Sequence, residues 1–501
     1  MEAIERFHVC IFKKDGQLLG HKLAFDSAFE KSIEEQQAKD SEEKSVNDNK
    51  YKEVFELFCN SMMGYIDILP FISAVTPSIT KEIQLDNITK FLRENSNGSI
   101  EEESRIIFDV GIEHYGSFLN IQSVAQTSYE VGRQIPKMLM IGIVSSYEHH
   151  ISLLIRQILK SNPQRLENSE KTMTVKEVFE AGDLDSFKEV ILDKEIDSVM
   201  RLSFEEQVTF LEKLMGSKRQ IKDGYKDWPI LVEIFERRNL FTHTNGVVSQ
   251  RYIDKAEQVG FSDKNKISKG KELFAGPNYF KKSLERISEF GLKIIQVSWR
   301  KMLESEGKIA DKALTDFGFE LIERGKYSLA IKVYEFYFEL RSDERDELHR
   351  RMSVVNLSNA YKLSGDSKAS EETLNGEDWS AVSDSFNISI AAVKGDVERV
   401  IELMKKTGKD CEIGENAYEE WPVFFHVRDH DNFAPAFESV FGRKFTPKAK
   451  ERRGTFNLLK ERLKDEADSS KPLAGKPVAS GLAVDKDIRV RSPRRPRKLD
   501  A

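Results

Sequence analysis

The chain has 501 residues, 39% of them hydrophobic and 32% charged, and a net charge of −7. That length is more than one core serves, so about three domains are expected, with the composition of a soluble globular protein. The acidic balance argues against a protein that coats nucleic acid through a global basic field, and any RNA contact has to come from local cationic patches. Cys10, Cys59 and Cys411 lie far apart and form no CxxC unit. They argue against a disulfide framework or a structural zinc and fit a reducing cytosol. The first twenty residues hold no apolar run of signal-peptide type, and the longest apolar segment, Met138 to Val144, falls short of the roughly 20 residues that span a bilayer. A cytoplasmic protein without membrane contact is expected.

Residues 1–130 carry the weakest pattern, and no role is assigned to them. Phe7 to Phe12, followed by Lys13-Lys14-Asp15-Gly16, reads as a strand and a turn, a small strand element in an otherwise helical chain. Asp40 to Lys50 reads as a charged linker, and Val54, Phe55, Phe58 and Met62 recur at helical spacing. Pro136 suits a helix start, and Val144, Tyr147, Ile151, Leu154, Ile155 and Ile158 mark one apolar stripe that Ser161-Asn162-Pro163 ends. Helices follow at about 174–181, 185–193 and 203–216. Asp227-Trp228-Pro229 opens another, with Ile230, Leu231, Ile234, Phe235 and Phe241 on its core face and Asn245-Gly246 at its end. A last long helix covers about 278–304, with Phe280, Leu284, Ile287, Leu292 and Ile295 apolar. Residues 131–305 therefore read as a helical bundle.

Residues 306–445 carry repeats. Arg324-Gly325-Lys326-Tyr327-Ser328-Leu329-Ala330 leads into Tyr334. Asn356 to Asp366 and Ala391 to Asp396 follow, each with a glycine placed to turn the chain between two helices. These units resemble tetratricopeptide repeats, although the turn glycines are 40 and then 30 residues apart. Trp421-Pro422 to Phe441-Gly442 reads as a capping helical pair. Residues 446–501 form a charged, Pro- and Gly-rich tail that ends in the basic run Arg489 to Lys498, expected to be disordered and able to touch phosphates nonspecifically. The fold class expected is mainly α, a helical bundle followed by an α-solenoid.

The segment Glu236-Arg237-Arg238-Asn239-Leu240-Phe241-Thr242-His243-Thr244-Asn245-Gly246 is the only place where an Arg precedes a His with four to six residues between them. A polar residue, Asn239, follows Arg238 directly. The segment resembles the Arg-x4-6-His signature of the HEPN superfamily, whose active members are metal-independent ribonucleases. Ser145-Ser146-Tyr147-Glu148-His149-His150 is similar to the opening helix of that family. The resemblance implies a dimeric endoribonuclease that leaves 2′,3′-cyclic phosphate and 5′-OH ends and needs no cofactor. It further implies a toxin or antiphage, abortive-infection effector, with a protein partner or trigger recognised through the repeats. In that chemistry His243, with an unperturbed pKa of about 6.5, moves protons. Arg238 grips a phosphate through its planar fork, while Asn239 and Thr242 orient the His or bind the phosphate.

Helix geometry sets a condition on this reading. Arg238 and His243 are about 140° apart on a straight helix, and Arg238 falls inside the apolar arc, where a charge is costly unless a groove or partner lies there. Pairing two subunits through residues about 136–305 would satisfy it. The competing reading is that Arg238 pairs with an acidic neighbour such as Glu233 or Glu236, while His243 caps the helix C-terminus. Glu148 can reach the cleft to hold Arg238 or a His, or Glu148, His149 and His150 can simply satisfy polar groups of the bundle. Lys264, Lys266, Lys269 and Lys271 form a loop able to meet an RNA backbone or to stay solvated. His426 and His430 have the i, i+4 spacing of zinc ligands on one helix face, but no third ligand is in view, and a structural role is expected. The sequence has no Walker-type phosphate loop and no dinucleotide fingerprint. Two other readings stand beside the nuclease: a non-catalytic helical scaffold, and a nucleotide-binding HEPN protein that acts through protein contacts.

Overall fold

A strand needs a pairing partner, and the first one finds it at once. β1 (His8–Lys14) pairs antiparallel with β2 (Gln17–Ala24), His8 opposite Ala24. The computed structural model describes residues 8–14, 17–24, 50–78, 81–102, 105–166, 174–217, 221–261, 267–340 and 345–447. Phe7, the turn at Asp15-Gly16, the linker before Lys50 and the basic tail lie outside them. All the described residues belong to one compact unit, Met1–Gly454.

α1 (Lys50–Ser78) buries the expected stripe, with Val54, Phe55, Phe58 and Met62 at 6% exposure or less. α2 (Lys81–Asn95) and a hairpin of β3 (Ser96–Glu102) and β4 (Arg105–Val110) follow. α3 (Tyr115–Ser161) then runs for 47 residues. Pro136 lies inside it and does not start it, which corrects the expected boundary. Proline lacks the N–H that would bond back to Gly132 and its ring crowds that carbonyl, and packing carries the helix across the gap. The stripe from Val144 to Ile158 is buried, and the helix stops at Ser161 with Asn162 as its cap. By length and mean hydropathy the segment Ile112–Ser161 is the one candidate for a membrane span among the described residues, and Met140 to Leu159 on it contribute to the core.

The bundle continues through α4 (Val175–Ala181), α5 (Leu184–Met200), α6 (Phe204–Met215), α7 (Ile221–Gly224), α8 (Trp228–Thr244), α9 (Gln250–Gln258) and α10 (Pro277–Met302). Thr174 and Ser203 each close a capping box with a glutamate three residues on, and these fix the starts of α4 and α6. α8 is buried on almost every side, from Trp228 through Phe241, so its sequence shows little one-sidedness. One apolar cluster runs from Tyr51 to Ala360. The boundaries expected near 130 and 305 fall inside it, because α1 packs against both α3 and α10, and α10 packs in turn against the helices at 307–323 and 327–339. Gly291 permits that approach: a Cβ there would stand 2.3 Å from the Phe58 ring.

Three helix pairs complete the chain: α11 (Gly307–Glu323) with α12 (Tyr327–Glu339), α13 (Glu347–Ser364) with α14 (Ser367–Asn375), and α15 (Asp384–Lys394) with α16 (Val397–Thr407). The turns fall at Gly325, Gly365 and Gly395, all at positive φ, where the sequence expects them. α17 (Glu415–Glu420) and α18 (Phe433–Phe441) close a second apolar cluster that spans Val355 to Phe445. The expected capping pair is half right. Its first member, Pro422–His426, is a 3-10 turn whose Val423 and Phe424 plug that second core. Within the described residues, 18 α-helices against four short strands make the chain mainly α.

Candidate functional site

α8 has the expected ends. Pro229 stands in its first turn, Asn245 caps it in the left-handed conformation at φ 52°, and the Gly246 amide donates back to the Leu240 carbonyl at 2.9 Å. It lies antiparallel to α3, and two contacts fix the alignment. Arg238 Nη2 donates to Glu148 Oε1 past the middle of α8. At its C-terminal end, Lys137 Nζ donates to the Asn245 carbonyl at 2.8 Å and to its Oδ1 at 3.0 Å.

The two adjacent arginines have different surroundings. Arg238 is half-buried, with Glu148 as its partner and its Nε unmatched. Burial raises the Glu148 carboxyl above its ordinary value, against the pull of Arg238. Arg237 is the buried one, at 7% exposure. Its Nε donates to Glu233 at 2.6 Å, its guanidinium lies 4.0 Å from the centre of the Tyr279 ring, and Tyr252 and Tyr279 donate to the same Glu233 at 2.5 and 2.9 Å. Burial would lower the Arg237 pKa, but Tyr279 and Glu233 outweigh it and hold it above the ordinary value. Glu233 was one of the acidic partners considered for Arg238. It takes Arg237 instead, as the i, i+4 spacing on one helix face allows. The sequence reading passed over Arg237, and that spacing was the available signal.

His243 stands in the last turn of α8, exposed, and makes no hydrogen bond or ion pair among the described residues. Thr242 donates its hydroxyl to the Arg238 carbonyl at 3.0 Å, and Asn239 is half-buried. The fold thus brings Arg238 and Glu148 together, ties Thr242 to its own helix, and leaves His243 facing outward one turn on. His150 is buried, donates from Nδ1 to the Ser146 carbonyl at 2.7 Å and packs edge-on to Phe58. Burial lowers its pKa, as for a core histidine, while His149 is exposed.

A second set of charges surrounds the His243 end. The Val248 amide donates to the Lys271 carbonyl, and the Leu273 amide to the Gly246 carbonyl, both at 2.9 Å. This bridge carries Glu272 to α3, where it meets Lys137 at 2.8 Å and also Arg133. Burial pushes Glu272 up, but the bonds from Lys137 and Arg133 prevail and hold it below its ordinary value. Lys137 is buried, at 2% exposure, and Arg133 lies over Phe274 at 4.9 Å. Lys269 and Lys271 are exposed on the same bridge, whereas Lys264 and Lys266 lie outside the described residues. No local pattern announces this cluster, since Lys137 and Glu272 are 135 positions apart.

The two histidines near the end of the chain do not share a helix face. His426 closes a 3-10 turn and meets Asn359 Oδ1 at 3.0 Å, while His430 lies in the following turn. The described residues hold no group of three or more His, Cys, Asp or Glu placed to bind a metal, and Cys59 and Cys411 are free thiols. No family model, no curated protein and no solved structure matches this chain.

Proposed function

We propose that the chain is a metal-independent endoribonuclease of HEPN type that acts as a dimer, with His243 moving protons and Arg238 stabilising charge on the scissile phosphate. The observation that carries the reading is the His243 end of α8. An exposed histidine stands there with Arg238 one turn before it, and Lys137, Arg133, Lys269 and Lys271 belong to the same helix end, on a chain of net charge −7. In the reaction a base takes the ribose 2′-OH proton and O2′ bonds to phosphorus. The P–O5′ bond then breaks, and an acid returns a proton to O5′. This leaves a 2′,3′-cyclic phosphate and a 5′-OH. Arg238 would meet the charge that develops on the phosphorane oxygens. Glu148 would act as a positioning residue that holds the Arg238 fork until a phosphate competes for it.

One histidine per subunit is too few for both acid and base, so a second copy supplies the other. The biological role in keeping with this chemistry is that of a toxin or abortive-infection effector, with the repeats taking a partner or trigger. A non-catalytic scaffold is favoured by one observation, the engagement of Arg238 by Glu148. The two readings separate when purified protein meets total RNA in EDTA. Cleavage that Arg238→Ala and His243→Ala each abolish supports the nuclease; cleavage that requires Mg²⁺, or that survives both substitutions, sinks it. Mixing the two variants restores some activity if the sites are shared between subunits, and an active, strictly monomeric protein by light scattering refutes the dimer.

A further inference from the structure

The repeats enclose a groove of about 430 Å³, within the range of about 300–1,000 Å³ usual for ligand pockets. Its walls come from the first helix of each pair, α11, α13 and α15, and from the connections around Glu412 and Trp421. Large apolar side chains exposed singly need no explanation, but Leu348 (60% exposed), Met352 (48%) and Trp421 (38%) all face this one concavity. The polar groups of the wall are largely satisfied within the fold. Ser353 donates to the His349 carbonyl, Ser389 to the Ser385 carbonyl, and His349 Nε2 meets Thr315 Oγ1 at 2.6 Å.

The charges in the groove are of one sign. Among the described residues Asp316 and Glu412 line it, and no Lys or Arg does. The arginines of and beside α13 are engaged elsewhere: Arg345 with Asp311, Arg350 with Glu347 and Glu377, and Arg351 with Glu347. Asp316 is partly neutralised by Lys312 one turn away on α11, while Glu412 is exposed and has no ion pair among the described residues. An apolar floor beneath an acidic rim repels phosphates and attracts cations.

From this we propose that the groove binds a short peptide segment of a protein partner, in which an aliphatic or aromatic side chain is flanked by Lys or Arg. The apolar side chain would cover Met352, Leu348 and Trp421, and a flanking cation would meet Glu412. The proposal rests on the part of the proposed function that gives these helix pairs a protein partner, and it does not depend on cleavage at His243.

The test uses the full chain and three fluorescein-labelled pentapeptides, capped at both ends: Lys-Leu-Phe-Arg-Lys, the charge-reversed Glu-Leu-Phe-Glu-Glu, and Lys-Gly-Ser-Arg-Lys without the apolar pair. Fluorescence anisotropy is expected to rank the first peptide about tenfold or more above the other two. Glu412→Lys and Met352→Ser, both at solvent-facing positions, should each weaken it by about fivefold, whereas Glu398→Lys on exposed α16 should leave it unchanged. Equal binding of the three peptides, no saturable binding, or an equal loss in Glu398→Lys overturns the proposal. Displacement of the peptide by an oligouridylate overturns it as well, because the groove would then belong to nucleic acid.

Discussion

The His243 end of α8 and the groove of the three helix pairs have opposite electrostatics within a single acidic chain. At the helix end, Arg133, Lys137, Arg238, Lys269 and Lys271 gather against two carboxylates, Glu148 and Glu272. Along the groove, Asp316 and Glu412 lie beside solvent-exposed apolar side chains, with no Lys or Arg in the wall among the described residues. A net charge of −7 describes neither place. Attraction of a phosphate or of a cationic peptide is decided within about one Debye length, roughly 8 Å at physiological salt, so partners are set by local clusters. The two regions also differ in how their charges are held. At the helix end Arg133, Lys137 and Arg238 are held by hydrogen bonds to Glu272, Asn245 and Glu148, whereas Glu412 at the rim has no ion pair among the described residues.

The largest expected effect falls on the helix end. His243→Ala and Arg238→Ala are each expected to lower RNA cleavage by about 10²–10⁴-fold, the usual worth of a positioned proton-transfer group or oxyanion donor. Glu412→Lys in the groove should leave cleavage of naked RNA unchanged. Rates measured under single-turnover conditions make the contrast; equal losses in His243→Ala and Glu412→Lys would mean that the two regions are not separate functions.

The second effect concerns stability and divides the neighbouring arginines. Glu233 is 1% exposed and holds Arg237, Tyr252 and Tyr279 together. Removing one partner of a buried pair leaves a charge without compensation, so Glu233→Ala should cost about 3–5 kcal/mol. Glu148→Ala should cost less, because both members of its pair with Arg238 keep a route to water. Urea unfolding followed by circular dichroism compares them. A larger loss in Glu148→Ala would reverse the assignment of Arg237 as structural and Arg238 as free for function.

Much of this architecture is legible in the sequence wherever a helix is one-sided or clearly punctuated. Val144 to Ile158 and Phe280 to Ile295 mark real core faces, and Asp227-Trp228-Pro229 and Asn245-Gly246 bracket α8 to the residue. Pro136 misleads because a proline in the first turn and one inside a helix look alike locally. The first twenty residues of α3 are largely exposed and give no clean stripe to correct it. The site is legible to the same degree. Arg238, His243 and Glu148 stand out from motif and helix pattern. Arg237 was within reach through its spacing from Glu233 and was missed. The contact of Lys137 with Glu272 and Asn245 had no local signal, because only the fold brings those segments together.

The smallest effect is one of pH, and it tests whether Glu272 locks the end of the helix. Its folded pKa is depressed below the ordinary carboxylate value of about 4.3 by Lys137 and Arg133. A depressed carboxylate contributes stability that is present above the unfolded pKa and is lost as pH falls through the folded value. Acid should therefore loosen the bridge between Val247 and Glu272 and expose the amides of Val248, Gly270 and Leu273 that it protects. Other carboxylates also release stability in acid, Glu347 among them with its pKa held down to about 2 by Arg350 and Arg351, so the informative quantity is a difference. In Glu272→Gln the three amides should exchange faster at neutral pH, and their protection should change little on acidification, whereas the wild type should approach that level only in acid. Equal protection of wild type and Glu272→Gln at neutral pH would show that the Asn245 cap and the backbone bridge hold the His243 turn without the ion pair.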